Sequence, residues 1–242
     1  MFFIKCGSQP AVKYKHLFFD LDHTLWDFDA NSRLTLEEIY ISFDLELKGV
    51  HSFELFYRNY LAHNEKLWAR YRNGTIKADE LRWKRMALSL LDFRIGDEAL
   101  AKEMGTAFLE GLPNRNLVFP DTLETLAYLR DRGYQLHLIT NGFELTQHHK
   151  LRNSGLDRFF IEVITSEGSN SLKPHKEIFD YALQKANAET EDCIMIGDSI
   201  EADIMGAINA GMDQVFVNHL NIETEVKPTF TVYSLKELQE IF

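Results

Sequence analysis

Four short stretches of the 242-residue chain set carboxylates, a hydroxyl and an amine beside apolar runs. They are Asp20-Leu21-Asp22-His23-Thr24, Thr140-Asn141-Gly142, Lys173-Pro174 and Gly197-Asp198-Ser199-Ile200-Glu201-Ala202-Asp203. A carboxylate such as Asp20 can attack phosphorus and give a mixed anhydride that water later cleaves. Two anions do not approach unaided. A Mg2+ held by carboxylates such as Asp20 and Asp198 would clamp a phosphate oxygen and reduce the repulsion. Thr140 can donate to another equatorial oxygen, and Lys173 can neutralise a third. Asp22 follows Asp20 by two residues; it can protonate the leaving oxygen and then take a proton from the attacking water. Asp203 comes five residues after Asp198, where it can orient Lys173 or a metal-bound water. Each residue also has a plainer use. Asp20 can cap a turn, Lys173 can be an exposed lysine ahead of a proline-started helix, and Asp203 can be a solvated helix residue. Thr24 and His23 read as shapers of the turn. His148, His149, Asp27 and Asp29 lack metal-ligand spacing and read as surface or hinge residues.

These stretches converge only if the elements carrying them line up. Leu17–Asp20, Gln135–Thr140, Ile161–Thr165, Cys193–Gly197 and Gln214–Val217 are short apolar runs bounded by polar residues or glycine, the pattern of buried parallel strands. Amphipathic helices alternate with these runs. One spans Asp121–Arg132, with Asp121 as cap, Glu124 at the capping-box position and Gly133 as terminator. Others span His175 to about Ala186 and Ser199–Ala210, the latter ended by Gly211. Alternation of this kind predicts an α/β fold, a doubly wound, Rossmann-like parallel sheet with right-handed crossovers. Ligands bind at the carboxyl ends of such strands, so all four stretches fall on one edge of the sheet.

Between the first and second strands the rhythm breaks. Thr35–Phe43, Glu54–Tyr71, Lys77–Leu91 and Glu98–Leu109 show apolar residues three and four apart, punctuated by Asn73-Gly74 and Gly96. These helices predict an inserted helical-bundle cap over 30–115, leaving the catalytic core as 1–29 plus 116–242. The insert is locally basic, with Arg58, Lys66, Arg70, Arg72, Lys77, Arg82, Lys84, Arg85 and Arg94 against Glu65, Asp79, Glu80 and Asp92. Such residues either make a solvated helix face or steer an anionic substrate. Trp68, Tyr71 and Trp83 can stack a base or pack the bundle.

Bulk composition narrows the function. A net charge of −11 argues against binding of nucleic-acid polymers, which leans on a basic footprint. Cys6 and Cys193 make neither a disulfide framework nor a metal-ligand spacing. Met1-Phe2-Phe3-Ile4-Lys5 turns polar too soon for a secretory signal, and no apolar stretch approaches the ~20 residues of a membrane span. A cytoplasmic enzyme, monomer or small homo-oligomer, acting on a small phosphorylated substrate is the expectation.

The ordered set Asp20-x-Asp22-x-Thr24, Thr140-Asn141, Lys173-Pro174 and Gly197-Asp198-x4-Asp203 resembles the four motifs of the haloacid dehalogenase superfamily across the whole sheet domain. The resemblance implies Asp20 as nucleophile and Asp22 as general acid/base with its backbone carbonyl on the metal. It makes Thr140 and Lys173, with Asn141 beside them, the phosphate binders, and Asp198 the completion of the Mg2+ site. The founding dehalogenases lack the second aspartate of the first motif; Asp22 sets this chain with the phosphatases. A narrower resemblance lies in Leu67-Trp68-x2-Tyr71-x-Asn73-Gly74-x-Ile76, Leu81-Arg82-x2-Arg85 and Ile139-Thr140-Asn141-Gly142-Phe143. Lys176-x-Ile178-Phe179-Asp180-Tyr181-Ala182-Leu183 and Gly206-x2-Asn209-Ala210-Gly211 extend it. It points to bacterial house-cleaning 5′-nucleotidases, which act on pyrimidine nucleoside monophosphates. A sugar-phosphate phosphatase or phosphosugar mutase on the same scaffold is the alternative. An aspartate-phosphorylated signalling receiver fits less well: its acceptor follows the third strand, and it is near half this length.

Overall fold

The computed structural model describes residues 13–242; Cys6 and the opening Met1–Lys5 lie outside the described residues. In chain order the elements begin with β1 (His16–Phe19), α1 (Phe28–Ser42), α2 (Phe53–Arg72), α3 (Ala78–Leu91) and α4 (Glu98–Gly111). There follow α5 (Thr122–Asp131), β2 (Gln135–Thr140), α6 (Glu144–Asn153), β3 (Glu162–Thr165), α7 (Ser166–Ser169) and α8 (Lys176–Ala186). The chain closes with β4 (Cys193–Gly197), α9 (Gly206–Ala210), β5 (Asp213–Val217), β6 (Phe230–Val232) and α10 (Leu238–Ile241). These elements fall into two compact units.

The sheet unit comprises residues up to Leu25, Phe119–Asn141 and Arg158–Phe242. Its six strands run in the order β3-β2-β1-β4-β5-β6, and every pair is parallel. Leu17, Phe18, Phe19, Leu138, Ile139, Ile194, Met195 and Ile196 are all fully buried, as strands covered on both faces must be. Phe19 sits level with Leu138 on one side and Ile196 on the other. β1, β2 and β4 therefore end side by side, and Asp20 N–H donates to Ile196 O at 2.9 Å. The strand β6 is an addition to the five expected from the sequence. Two helices also differ from expectation. Asp121 does not cap α5 with its side chain; it takes a left-handed conformation, φ 62°. The stretch after β4 opens as a π-helical turn over Ile200–Met205 before α9 begins.

The helical unit comprises Trp26–Val118 and Gly142–Asp157. Its core is built from one face of each helix, including Phe56, Tyr60, Leu81, Met86, Leu90, Met104 and Phe108. Asp27 caps α1 by accepting from Ala30 N–H at 2.9 Å, so the helix starts before the first residue that the apolar spacing marks. These limits differ from the 30–115 read from the sequence. Asn31 ties the two ends of the insert together, donating to Asp27 O and Leu117 O at 2.7 and 2.8 Å, and Trp26 bridges Val118. Asn153 on α6 donates to Pro113 O at 2.7 Å, which joins a segment distant in sequence to the same unit. Three of the basic residues of the insert are engaged within it. Arg85 is buried, donating to Asn64 Oδ1 at 2.9 Å above the Phe108 ring, while Arg82 and Lys84 pair with Asp79 and Glu80 one turn back. Trp68 and Tyr71 pack on Phe143. Among the described residues no helix is long and apolar enough to cross a membrane.

Candidate active site

At the carboxyl ends of β1, β2 and β4 the sheet unit gathers Asp20, Lys173, Asp198 and Asp203. Lys173 is not an exposed lysine: only 2% of its surface reaches solvent. Its ammonium donates to Asp20 Oδ1 at 2.6 Å, Asp203 Oδ1 at 2.6 Å and Ile139 O at 2.7 Å. A lysine has three N–H donors, so all are engaged and the head group is fixed. The backbone of Lys173 is fixed as well. Asn141 Nδ2 donates to Lys173 O at 2.9 Å, and Lys173 N–H donates to Asn141 Oδ1 at 2.7 Å. The side chain of Asn141, read from the sequence as a phosphate binder, braces Lys173 in this structure. The Lys173–Pro174 peptide bond is cis.

Asp203 is 1% exposed and is not a solvated helix residue. Besides Lys173 it accepts from Ser199 N–H through Oδ2 at 3.0 Å. The π-helical turn turns Asp203 inward, with Asp203 and Ile204 N–H both donating to Ser199 O at 2.9 and 3.1 Å; single π turns of this kind often mark functional sites. Gly197 makes room for this arrangement. A Cβ there would lie 2.3 Å from Asp203 Oδ2, so no residue with a side chain fits without displacing the carboxylate.

Thr24 lies at the far end of the first stretch and is wholly buried. It donates to Asp198 Oδ1 at 2.8 Å and accepts from Asp198 N–H at 3.0 Å. That pairing, across 174 residues, is not visible in the sequence, where Thr24 reads only as part of a turn. His23 takes the left-handed conformation, φ 66°, that the turn needs. His219, unremarked in the sequence, meets Thr24 O at 3.1 Å and stacks on Phe119 at 4.0 Å. Asp22 is half-buried, two residues along from Asp20, and Thr140 is buried at the end of β2.

Carboxylate oxygens of Asp20, Asp198 and Asp203 lie within 4.8 Å of one another. Burial pushes the Asp20 carboxyl up to about 8; Lys173 opposes the rise, while Asp203 and Asp198 add to it. Burial, then Asp203, lifts Asp198 to about 7 against the hydrogen bond from Thr24. For Lys173, burial favours the neutral amine, but Asp20 and Asp203 outweigh it and hold its pKa above the ordinary lysine value. Three carboxylates against one ammonium leave negative charge uncompensated in a buried space. A divalent cation with a preference for oxygen ligands fits that deficit, and Asp20 and Asp198 are placed to hold it. Asp203, with both oxygens already bonded to Lys173 and Ser199, is placed to hold the lysine instead.

Comparison with known proteins agrees with this geometry. The model of the haloacid dehalogenase-like hydrolases matches residues 14–211. Pyrimidine 5′-nucleotidase YjjG of Escherichia coli is 32% identical over 236 residues, covering 95% of this chain and 98% of that protein. A glyceraldehyde 3-phosphate phosphatase of Methanothermobacter thermautotrophicus is 30% identical over 216 residues, covering 87% of this chain and 88% of that one. The crystal structure of the HAD-hydrolase YfnB from Bacillus subtilis bound to magnesium superposes with a TM-score of 0.85 at 27% identity, covering 95% of this chain and 98% of that one.

Proposed function

The chain belongs to the haloacid dehalogenase-like hydrolases and is a phosphatase of that family, and on that premise we propose that it hydrolyses pyrimidine nucleoside 5′-monophosphates with Mg2+ through a phosphoaspartate on Asp20. The observation that carries the reading is Lys173, buried and held between Asp20 and Asp203 at 2.6 Å from each. Burying this much charge is costly, and buried ionisable groups perturbed in this way cluster at functional sites.

The residues take the following roles. Asp20 attacks phosphorus; the bond from phosphorus to the leaving oxygen breaks as the bond to the Asp20 carboxylate forms. Asp22 gives its proton to the leaving oxygen. Thr140 donates to another phosphate oxygen, and the Lys173 ammonium, fixed by Asp20, Asp203 and Ile139 O, neutralises the charge of a third, with Asn141 and Asp203 keeping it in place. Asp22 then takes a proton from water as water attacks phosphorus, and the acyl-phosphate bond breaks to return Asp20. Magnesium, when bound by Asp20 and Asp198 with the backbone carbonyl of Asp22, supplies positive charge to the phosphate and lowers its repulsion from the nucleophile. The helical unit serves as a cap that excludes water during these steps; the interdomain movement of magnesium-bound YfnB supports that role.

YjjG supports the nucleotide assignment. The archaeal glyceraldehyde 3-phosphate phosphatase supports a second reading, a small sugar phosphate as substrate. Phosphate release from a panel of nucleoside monophosphates and sugar phosphates with Mg2+ separates them. Fastest release from pyrimidine nucleotides is expected. Release from sugar phosphates alone would keep the chemistry and replace the substrate, and isomerised sugar phosphate without free phosphate would make the enzyme a mutase.

A further inference from the structure

Two of the places where the chain leaves the sheet unit follow directly on site loops, after Leu25 and after Asn141. The first is anchored through the backbone: Leu25 N–H donates to Leu21 O at 2.9 Å and Leu25 O accepts from Phe119 N–H at 2.9 Å. The next residue is Trp26. Beyond Asn141, the Gln147 side chain fills the space where a Cβ on Gly142 would stand, 2.3 Å away, so α6 is pressed onto the turn it follows. One turn further along α6 comes Lys150, a lysine with only 3% of its surface exposed. Its ammonium stands over the Trp26 ring at 4.4 Å and the Phe28 ring at 5.6 Å. The indole N–H of Trp26 is buried and makes no hydrogen bond, so the ring is held by its faces. A desolvated ammonium over a tryptophan face is the strongest form of cation–π contact.

We infer that Lys150 is a positioning residue: seated on Trp26 and Phe28, it ties the segment leaving the Asp20–Thr24 loop to the helix that follows Thr140-Asn141. The loop with the nucleophile and the turn with the phosphate-binding hydroxyl then shift together when phosphate enters. This rests on the phosphatase reading above. The contact acts as a clasp between Lys150 and the two rings.

Protein labelled with 5-fluorotryptophan reports on the clasp, because the chain has three tryptophans and Trp26→Phe identifies the Trp26 resonance. With Mg2+ and orthovanadate, the Trp26 resonance of the wild type shifts. Lys150→Met abolishes that shift while calorimetry still registers both ligands. In turnover, Lys150→Met loses about 10-fold or more in kcat with KM within about 3-fold, and Lys150→Arg, which keeps the cation, recovers most of it. An unchanged shift in Lys150→Met, or equal losses in the Met and Arg variants, overturns the proposal. The metal-free protein gives an independent reading. There the Trp26 line of Lys150→Met broadens or splits, and a single wild-type line overturns the clasp whatever the activity. Failure of the wild type to bind Mg2+ and vanadate, with that line still perturbed, removes the phosphatase reading and leaves the clasp standing as a structural tie. Where Lys150→Met does not fold, Lys150→Arg and Lys150→Gln carry the same comparison.

Discussion

Thr24 and Asp198 exchange two hydrogen bonds, Oγ1 to Oδ1 at 2.8 Å and N–H to Oγ1 at 3.0 Å. One small hydroxyl thus fixes both the backbone and the carboxylate of a residue assigned to the metal. Thr24→Val keeps the shape and removes the donor. Asp198 then loses a contact that favours its charged form, and its pKa climbs. Mg2+ affinity at neutral pH should fall about 10-fold, the equivalent of one lost hydrogen bond to a charged group. Titration calorimetry measures it; wild-type affinity would mean that Asp198 does not hold the ion.

Gly197→Ala puts a methyl group where the Asp203 carboxylate lies. The carboxylate is backed by backbone and by Lys173, so it moves only by giving up one anchor of the lysine. Overpacking of this kind costs roughly 1–3 kcal/mol, and kcat should fall about 100-fold, more than the loss of stability accounts for. Urea unfolding run beside initial rates separates the two. Full activity in Gly197→Ala would deny Asp203 its hold on Lys173.

Much of this site is legible in the sequence because its residues follow apolar runs. Leu17–Phe19, Leu136–Ile139 and Ile194–Ile196 read as buried strands of one sheet covered on both faces, and strand ends then fix where Asp20, Thr140 and Asp198 must go. What is not legible comes from long-range pairing and from short elements. Nothing in the local sequence of Thr24 names Asp198. Phe230–Val232 is three residues long, too short for a period, and becomes a strand only because β5 offers an edge. Asp121 has the right type and place for a helix cap, yet its left-handed backbone turns the side chain away from that use. The π-helical turn is hidden for a similar reason: Ser199–Ala210 has helical spacing, and only the pull of Lys173 and Ser199 N–H on Asp203 shows why its first turn is wide.

The raised carboxyls set a pH dependence. Asp20 and Asp198 titrate at about 8 and about 7 in the folded protein, against roughly 3.9 in an unfolded chain. Between these limits the folded state binds more protons, so stability of the metal-free protein falls as pH rises from about 4 to about 8. Mg2+ takes the place of those protons. Melting curves with EDTA should drop from pH 5 to pH 8, while the gain in Tm on adding Mg2+ grows over the same range. A gain that shrinks as pH rises would contradict the assignment.

The opposite sign is expected from a histidine far from this chemistry. His137 is buried, stacked between His16 and Phe18, and burial followed by the His16 charge pushes it down to about 4. An unfolded histidine takes its proton near 6.5, so the stability His137 contributes is complete above that pH and is lost as pH falls toward 4. Between pH 7 and pH 5 the loss is on the order of 2 kcal/mol. His137→Leu should flatten the decline in urea-unfolding stability between pH 7 and pH 5. An unchanged slope would place the acid sensitivity elsewhere.

In the proposed reaction Asp20 carries the phosphoryl group. Acid quench during turnover, reduction of the acyl phosphate with borohydride and peptide mass spectrometry test it directly, because reduction converts a phosphorylated aspartate to homoserine. Homoserine is expected at position 20 in the wild type, formed only with Mg2+ and substrate present, and none in Lys173→Ala. Homoserine at another aspartate, or phosphate release with Asp20 unmodified and Asp20→Asn still active, would contradict it.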